Sequence, residues 1–286
     1  MKLYELGLYE KALPGELGME QKLIIAGDCG FDFLQISIDE TDEKIARLNM
    51  SKAELNYLNN LMSVTGVPIR SMCLSAHRKY PLGSENTAVR QKSLDIMQKA
   101  LDLSAALGIR QIQLAGYDVY YEKGNEHTQR LFLENLAKSA EMAAKAGIIL
   151  AFETMETPFM DTTAKAVYYV KRINSCYLQV YPDIGNLNNA ALLYGHDVWE
   201  DLKTAAGHIS ELHLKETEPG KYRNMMYGEG CVDFSKAIDT AWDMGVRRYV
   251  TEFWYLGNPN WKDDIKKAHA YFTPLLTEKG ILNEAK

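Results

Sequence analysis

Four polar residues stand where the surrounding sequence reads as buried strand: Glu153 closes IILAFE, Asp183 closes LQVYPD, His213 lies within ISELHLKE and Glu252 within YVTEFW. They follow one another at intervals of 30, 30 and 39 residues. Three carboxylates and an imidazole gathered in a low-dielectric site would repel one another and lose hydration. A divalent cation removes that conflict. The donor set is oxygen-rich with one nitrogen and no thiolate, which suits Mn²⁺, Mg²⁺, Co²⁺ or Zn²⁺ rather than copper or iron–sulfur chemistry. Taken singly, each has a plainer explanation: a glutamate at a strand end is commonly a solvated rim residue, and a histidine in an apolar strand a hydrogen-bonded core residue. The recurrence of all four at one relative position carries the metal reading.

Positioning them requires a repeating unit. Short apolar, β-branched or aromatic runs read as strands at Tyr4–Tyr9, Phe31–Ser37, Pro68–Leu74, Gln111–Ala115, Ile148–Glu153, Leu178–Asp183, Ile209–Leu214 and Tyr249–Phe253. Between them, helical spacing is read over Ser51–Val64, Thr87–Leu107, Thr128–Ala146, Thr163–Ile173, Val198–Ala206, Phe234–Met244 and Trp261–Leu276. Ser51 and Glu54 form a capping-box pattern, and Gly108, Gly147, Gly207 and Gly245 stand as C-terminal stops. Eight strand–helix units predict a (β/α)8 TIM barrel, with the active face built from the loops that follow the strands. A doubly wound open sheet shares the local pattern. Neither a G-x-G-x-x-G after the first strand nor a G-x-x-x-x-G-K-[ST] is present, so no nucleotide cofactor is expected. Without a Pro/Gly/Ser-rich linker, charge block or low-complexity stretch, residues 1–286 are expected to form one domain.

Composition narrows the function class. Hydrophobic residues make up 47% and charged residues 24%, values of an ordinary soluble globular chain. Thirty-two Lys and Arg against 38 Asp and Glu give a net charge of −6, which offers no general attraction to nucleic acid or an anionic membrane. The opening MKLYELGLYEKALPG lacks the apolar run of a signal peptide, and the longest such run, Ile148–Phe152, is too short to span a bilayer. A cytoplasmic location is expected. Cys29, Cys73, Cys176 and Cys231 form no C-x-x-C pair, so reduced thiols are expected rather than a zinc knuckle or redox dithiol.

Longer segments resemble a known family. GLYEKALP (Gly7–Pro14), SMCLSAHRKYPLGS (Ser71–Ser84), IQLAGYDVYY (Ile112–Tyr121), YPDIGN (Tyr181–Asn186), LHLKETEPG (Leu212–Gly220) and the GEGxVDF segment (Gly228–Phe234) are similar to the L-ribulose-5-phosphate 3-epimerase family of bacterial L-ascorbate and pentose catabolism, among the xylose-isomerase-like barrels. The resemblance implies a metal site at Glu153, Asp183, His213 and Glu252, with Glu153 and Glu252 as the proton-transfer pair. It also implies a homodimer acting on a sugar phosphate. Some relatives carry a His three residues after the metal Asp; this chain has Asn186 there.

Epimerising C3 of a ketose takes a weakly acidic proton from beside the C2 carbonyl and returns one to the opposite face, which requires one carboxylate per face. A phosphate requires an anion site, and Lys215, Lys221 and Arg223 in the loop after the seventh strand are candidates for it. Ser75, His77 and Arg78 form a second polar cluster, and Gln113, Asn186 and Tyr117 are further substrate-binding candidates. Tyr117, Tyr120 and Tyr121 fit either a pocket wall or an interface. Rival readings are an aldose–ketose isomerase of hexulose-6-phosphate or hydroxypyruvate type, a 3-epimerase of unphosphorylated ketoses, and a non-catalytic sugar-binding barrel. An abasic-site endonuclease fits poorly with six His and a negative charge.

Overall fold

The computed structural model describes residues 2–284, with side chains through residue 280. Met1 and Ala285–Lys286, the ends of the expected 1–286 unit, lie outside the described residues. Eight parallel strands run in the order of the chain: β1 (Glu5–Tyr9), β2 (Phe33–Ile38), β3 (Ile69–Leu74), β4 (Gln111–Ala115), β5 (Ile149–Glu153), β6 (Leu178–Tyr181), β7 (Leu212–Leu214) and β8 (Arg248–Thr251). Each is followed by helix: α1 (Met19–Asp28) after β1, α2 (Asp42–Ala46) and α3 (Lys52–Thr65) after β2, α4 (Thr87–Leu107) after β3 and α5 (Glu126–Ala146) after β4. α6 (Thr163–Ile173) follows β5, α7 (Ile184–Tyr194) and α8 (Val198–Lys203) follow β6, α9 (Phe234–Asp243) follows β7 and α10 (Trp261–Glu284) follows β8.

Strand pairing runs unbroken from β6 through β5, β4, β3, β2, β1 and β8 to β7. Closure between β6 and β7 is sparser, through isolated parallel bridges at Val180–Ile209 and Asp183–His213. Pro182 has no N–H to donate, so it contributes only its carbonyl, which accepts from the His213 amide at 2.9 Å. The strand expected to continue to Asp183 therefore ends at Tyr181, and the one expected from Ile209 is regular only from Leu212. The fold is the predicted TIM barrel.

Three helices have no counterpart in the sequence-based expectation: α1, the five-residue α2 and α7. α7 begins directly after Asp183 and was not legible from periodicity, because its residues include Asn186, Asn188 and Asn189, which are poor helix formers. α1 carries Gly27 and an Ile-Ile pair that read equally as strand. The capping box at Ser51 and Glu54 is present, and Gly108 and Gly147 close their helices at φ 73° and 67°. Among the described residues no helix is long and apolar enough to cross a membrane.

Apolar side chains divide into two main bodies, with a further small cluster of Ala115, Tyr117 and Met155. The larger packs the outer face of the sheet against the helices. A smaller one, with Tyr9, Phe33, Cys73, Ala151, Tyr181 and Val250, fills the barrel interior. Above and beside it the interior turns polar: Gln35 donates to Ser71 Oγ at 3.1 Å and to the Tyr181 hydroxyl at 3.0 Å, which donates to Glu211 at 3.1 Å. That network is the floor of the site.

Candidate functional site

Glu153, Asp183, His213 and Glu252 converge at the C-terminal end of the barrel, all buried, with one donor atom from each lying within 4.8 Å of the others. Backbone geometry sets the approach. A Cβ at Gly185, in the first turn of α7, would lie 2.6 Å from the Lys215 carbonyl, so glycine lets that turn sit against the end of β7.

Three of the four donors are oriented by a second group. His213 Nε2 faces Gln35 Oε1 at 2.8 Å, so Nε2 carries a proton and Nδ1 is the nitrogen turned to the carboxylates, protonated toward them when no cation is bound and able to ligate one when it is. Glu153 Oε1 lies 3.1 Å and Glu252 Oε2 3.0 Å from that Nδ1. Gln113 donates its amide to the other oxygen of Glu153. Asp183 caps α7, its Oδ1 accepting from the Asn186 amide at 2.8 Å, which leaves Oδ2 turned to the cluster. Lys215 Nζ is 2.8 Å from Asp183 Oδ2 and 2.8 Å from Asn186 Oδ1; only the contact to Asn186 is aligned as a hydrogen bond.

The group fits a divalent cation. Asp183 Oδ2 and Glu252 Oε2 are buried without an aligned hydrogen bond among the described residues. Three carboxylates against one lysine leave a charge of about −2 with the imidazole neutral, and ligands about 2.1 Å from a shared ion lie roughly 3–4 Å apart. Without a cation the protonation states shift to compensate. Burial raises Asp183, and the neighbouring Glu252 adds to it, up to about 7 despite Lys215. Burial opposes charge on His213, but Glu252 and Glu153 outweigh it and raise the imidazole to about 10. Burial likewise works against ionised Glu252, yet His213 and Lys215 hold it below its usual value.

A pocket opens over this group, lined among others by Tyr9, Lys11, Cys73, Ser75, Arg78, Glu156, Arg223 and Trp254. Of the substrate-binding candidates, Ser75, Lys215 and Arg223 line it. Lys215 belongs to the buried cluster, and Arg223 pairs with Glu156 at 3.3 Å and stacks 5.4 Å from the Trp254 ring. Gln113 and Asn186 support Glu153 and Lys215 from behind. His77 turns away: its Nε2 meets the Ser93 carbonyl of α4 at 3.2 Å, and burial pushes the imidazole down to about 4. Lys221 is not among the pocket-lining residues; it sits in an exposed turn, 3.6 Å from Glu218.

Sequence reasoning passed over Lys11, Glu156 and Trp254 as site residues. Glu156 had a usable signal, since it lies three residues after Glu153 in the following loop. Larger clefts elsewhere, one lined by Met225, Phe253 and Leu256 and another by Tyr227 and Tyr271, lack a convergent carboxylate group.

Comparison with known proteins agrees with this architecture. Residues 23–275 match the family model described as xylose isomerase-like TIM barrel. L-ribulose-5-phosphate 3-epimerase UlaE of Escherichia coli strain K12 is 42% identical over 286 residues, covering 99% of each chain. Among solved structures, an L-ribulose 3-epimerase superposes with a TM-score of 0.81 at 19% identity, covering 99% of this chain and 97% of the other. A D-psicose 3-epimerase reaches 0.80 at 17% identity, covering 95% and 99%. At those identities the structural likeness speaks for the fold. The full-length match to the curated relative and the family model together assign this chain to the L-ribulose-5-phosphate 3-epimerase family of xylose isomerase-like TIM barrels, as an isomerase of the carbohydrate 3-epimerase type.

Proposed function

We propose that the chain interconverts L-ribulose 5-phosphate and L-xylulose 5-phosphate by metal-dependent epimerisation at C3, in L-ascorbate or pentose catabolism. The observation that carries the reading is the pair of glutamates flanking one imidazole nitrogen, Glu153 at 3.1 Å and Glu252 at 3.0 Å from His213 Nδ1. A divalent cation held by Glu153, Asp183, His213 and Glu252 would supply Lewis-acid polarisation of the ketose oxygens. One glutamate removes the C3 proton, the electrons pass into the C2 carbonyl to give an enediolate, and the other glutamate returns a proton to the opposite face of C3. The roles exchange with the direction of reaction. Gln113 fixes the Glu153 carboxylate, Gln35 fixes the His213 tautomer, and Tyr9 and Trp254 bound the pocket over the reacting carbons.

The test is incubation with L-ribulose 5-phosphate in D₂O, with Mn²⁺ or with excess EDTA, followed by NMR. Metal-dependent deuterium at C3 together with L-xylulose 5-phosphate is the expected result. Exchange confined to C1 would make the enzyme an aldose–ketose isomerase. Equal turnover of free L-ribulose would make it a 3-epimerase of unphosphorylated ketoses.

A further inference from the structure

His213 can hold a cation through Nδ1 only if its remaining proton stays on Nε2, and the groups that decide this lie beneath the site. Glu211 and His213 stand two residues apart, on either side of Leu212, so both point into the barrel. Gln35 on β2 and Ser71 on β3 are paired in register, and Tyr181 ends β6. All five side chains are fully buried.

The bonds among them run in one direction. Glu211 Oε2 accepts from the Tyr181 hydroxyl at 3.1 Å. That uses the only proton Tyr181 has, so the hydroxyl can meet Gln35 solely as an acceptor, and it takes the Gln35 amide at 3.0 Å. Ser71 Oγ takes the same amide group at 3.1 Å. The nitrogen of Gln35 is thereby held to the floor, and its oxygen is left facing His213 Nε2 at 2.8 Å. A side-chain amide fits its space almost equally well either way round. In the reversed chain Tyr181 would donate to the Gln35 oxygen, the Gln35 nitrogen would donate to Nε2, and the imidazole proton would sit on Nδ1, closing the ligating position. Burial raises the Glu211 carboxyl to about 7, against Arg248 at 3.7 Å from Oε1 and the Tyr181 and Ser71 hydroxyls, so its charged form prevails at pH 8.

We infer that Glu211 is a positioning residue for the candidate metal site: from the barrel floor it sets the direction of the Tyr181 and Gln35 hydrogen bonds, and so keeps the His213 proton on Nε2 and Nδ1 open to the cation. The inference rests on the reading of Glu153, Asp183, His213 and Glu252 as metal ligands.

The experiment titrates metal-stripped protein with Zn²⁺ at pH 8 by calorimetry, in wild type, Glu211→Gln, Tyr181→Phe and the double variant Gln35→Glu/Glu211→Gln. Nitrogen-15 spectra of the Zn²⁺-loaded, histidine-labelled proteins report which ring nitrogen of His213 carries the proton. Wild type should bind one equivalent with that proton on Nε2. Glu211→Gln keeps the shape but can donate to Tyr181, and it should weaken binding by about 10- to 100-fold. Tyr181→Phe cuts the link to Gln35, should weaken binding in the same direction, and carries the test if Glu211→Gln does not fold. The double variant places the carboxylate beside the imidazole, where it accepts from Nε2 and from Tyr181 alike, and it should restore binding to within about threefold of wild type. A role of Glu211 in stability alone would not give that recovery. Unchanged affinity in Glu211→Gln, or in Tyr181→Phe where that variant carries the test, would overturn the inference and leave the metal reading standing, as would a loss that the double variant does not recover. A wild type that binds no Zn²⁺ would overturn both.

Discussion

Glu10 and Asp183 are both buried carboxylates just beyond strand ends, and the protein surrounds them differently. Glu10 receives the Ser37 amide at 2.8 Å, Lys22 at 2.8 Å, Lys44 at 2.7 Å and Arg47 at 2.8 Å, so both of its oxygens are engaged by protein donors. Burial alone would raise it, but Arg47, Lys22 and Lys44 outweigh that and hold it far below the usual carboxylate range. Asp183 shares its surroundings with Glu153 and Glu252, and the cluster leaves Asp183 Oδ2 and Glu252 Oε2 without aligned donors. A carboxylate saturated by its own chain ties loops together, here the loop after β1 to α1 and α2. A carboxylate group that the chain leaves short of donors is prepared for something that comes from outside.

The comparison predicts opposite consequences for the same substitution. Glu153→Gln should lower kcat by about 10³- to 10⁴-fold, as expected for loss of a general acid–base group, with the urea midpoint unchanged or raised because a like-charge contact is relieved. Glu10→Gln should do the reverse. It leaves Lys22, 1% exposed, without its counter-ion and should cost about 3–5 kcal/mol in urea unfolding, while the folded variant keeps kcat within about threefold. A Glu10→Gln enzyme that is stable but inactive, or a Glu153→Gln enzyme that is active but unstable, would break the distinction.

Acid sharpens the contrast. The depressed pKa of Glu10 means its stabilisation is fully present above the unfolded carboxylate value and is lost as pH falls through and below it. His77, pushed down to about 4 from an unfolded value near 6.5, excludes a proton that the unfolded chain binds, so stability also falls as pH drops from 6.5 toward 4. Asp183, raised to about 7, binds a proton in the folded state and opposes the His77 contribution in the upper window, so the lower window carries the test: below about pH 4.5 the wild-type urea midpoint should fall more steeply than that of Glu10→Gln. The smallest effect is expected at Lys221→Ala. Its exposed pair with Glu218 should leave the melting temperature within about 1 °C and KM for the phosphorylated sugar within about twofold.

How much of this the sequence carried depends on where the signal lies. Glu153, Asp183, His213 and Glu252 were legible because a charged residue in an apolar strand is a local anomaly, and the barrel repeats that locality with a fixed period. α7 was hidden because three asparagines blur helical periodicity and because the same Asp183 that ends the strand region caps the helix. His77 and Arg78 are neighbours in one turn with opposite fates, the first turned to the Ser93 carbonyl and the second to the pocket mouth. Sequence spacing does not separate them. Which partner a cation meets is likewise a property of loops meeting in space: Lys11 finds Asp39, Arg223 finds Glu156, and Arg78 lies against the Tyr117 and Tyr120 rings.

The central claim is that the under-engaged cluster, and not the saturated one, is built to hold a divalent cation. Calorimetric titration of the metal-stripped protein with Mn²⁺ tests it most directly. One equivalent should bind to wild type and to Glu10→Gln, with binding lost in Asp183→Asn. Saturation at 100 times Kd should add about 2.7 kcal/mol of stability to the first two only. Undiminished one-to-one binding by Asp183→Asn, or no binding by wild type, would contradict the account.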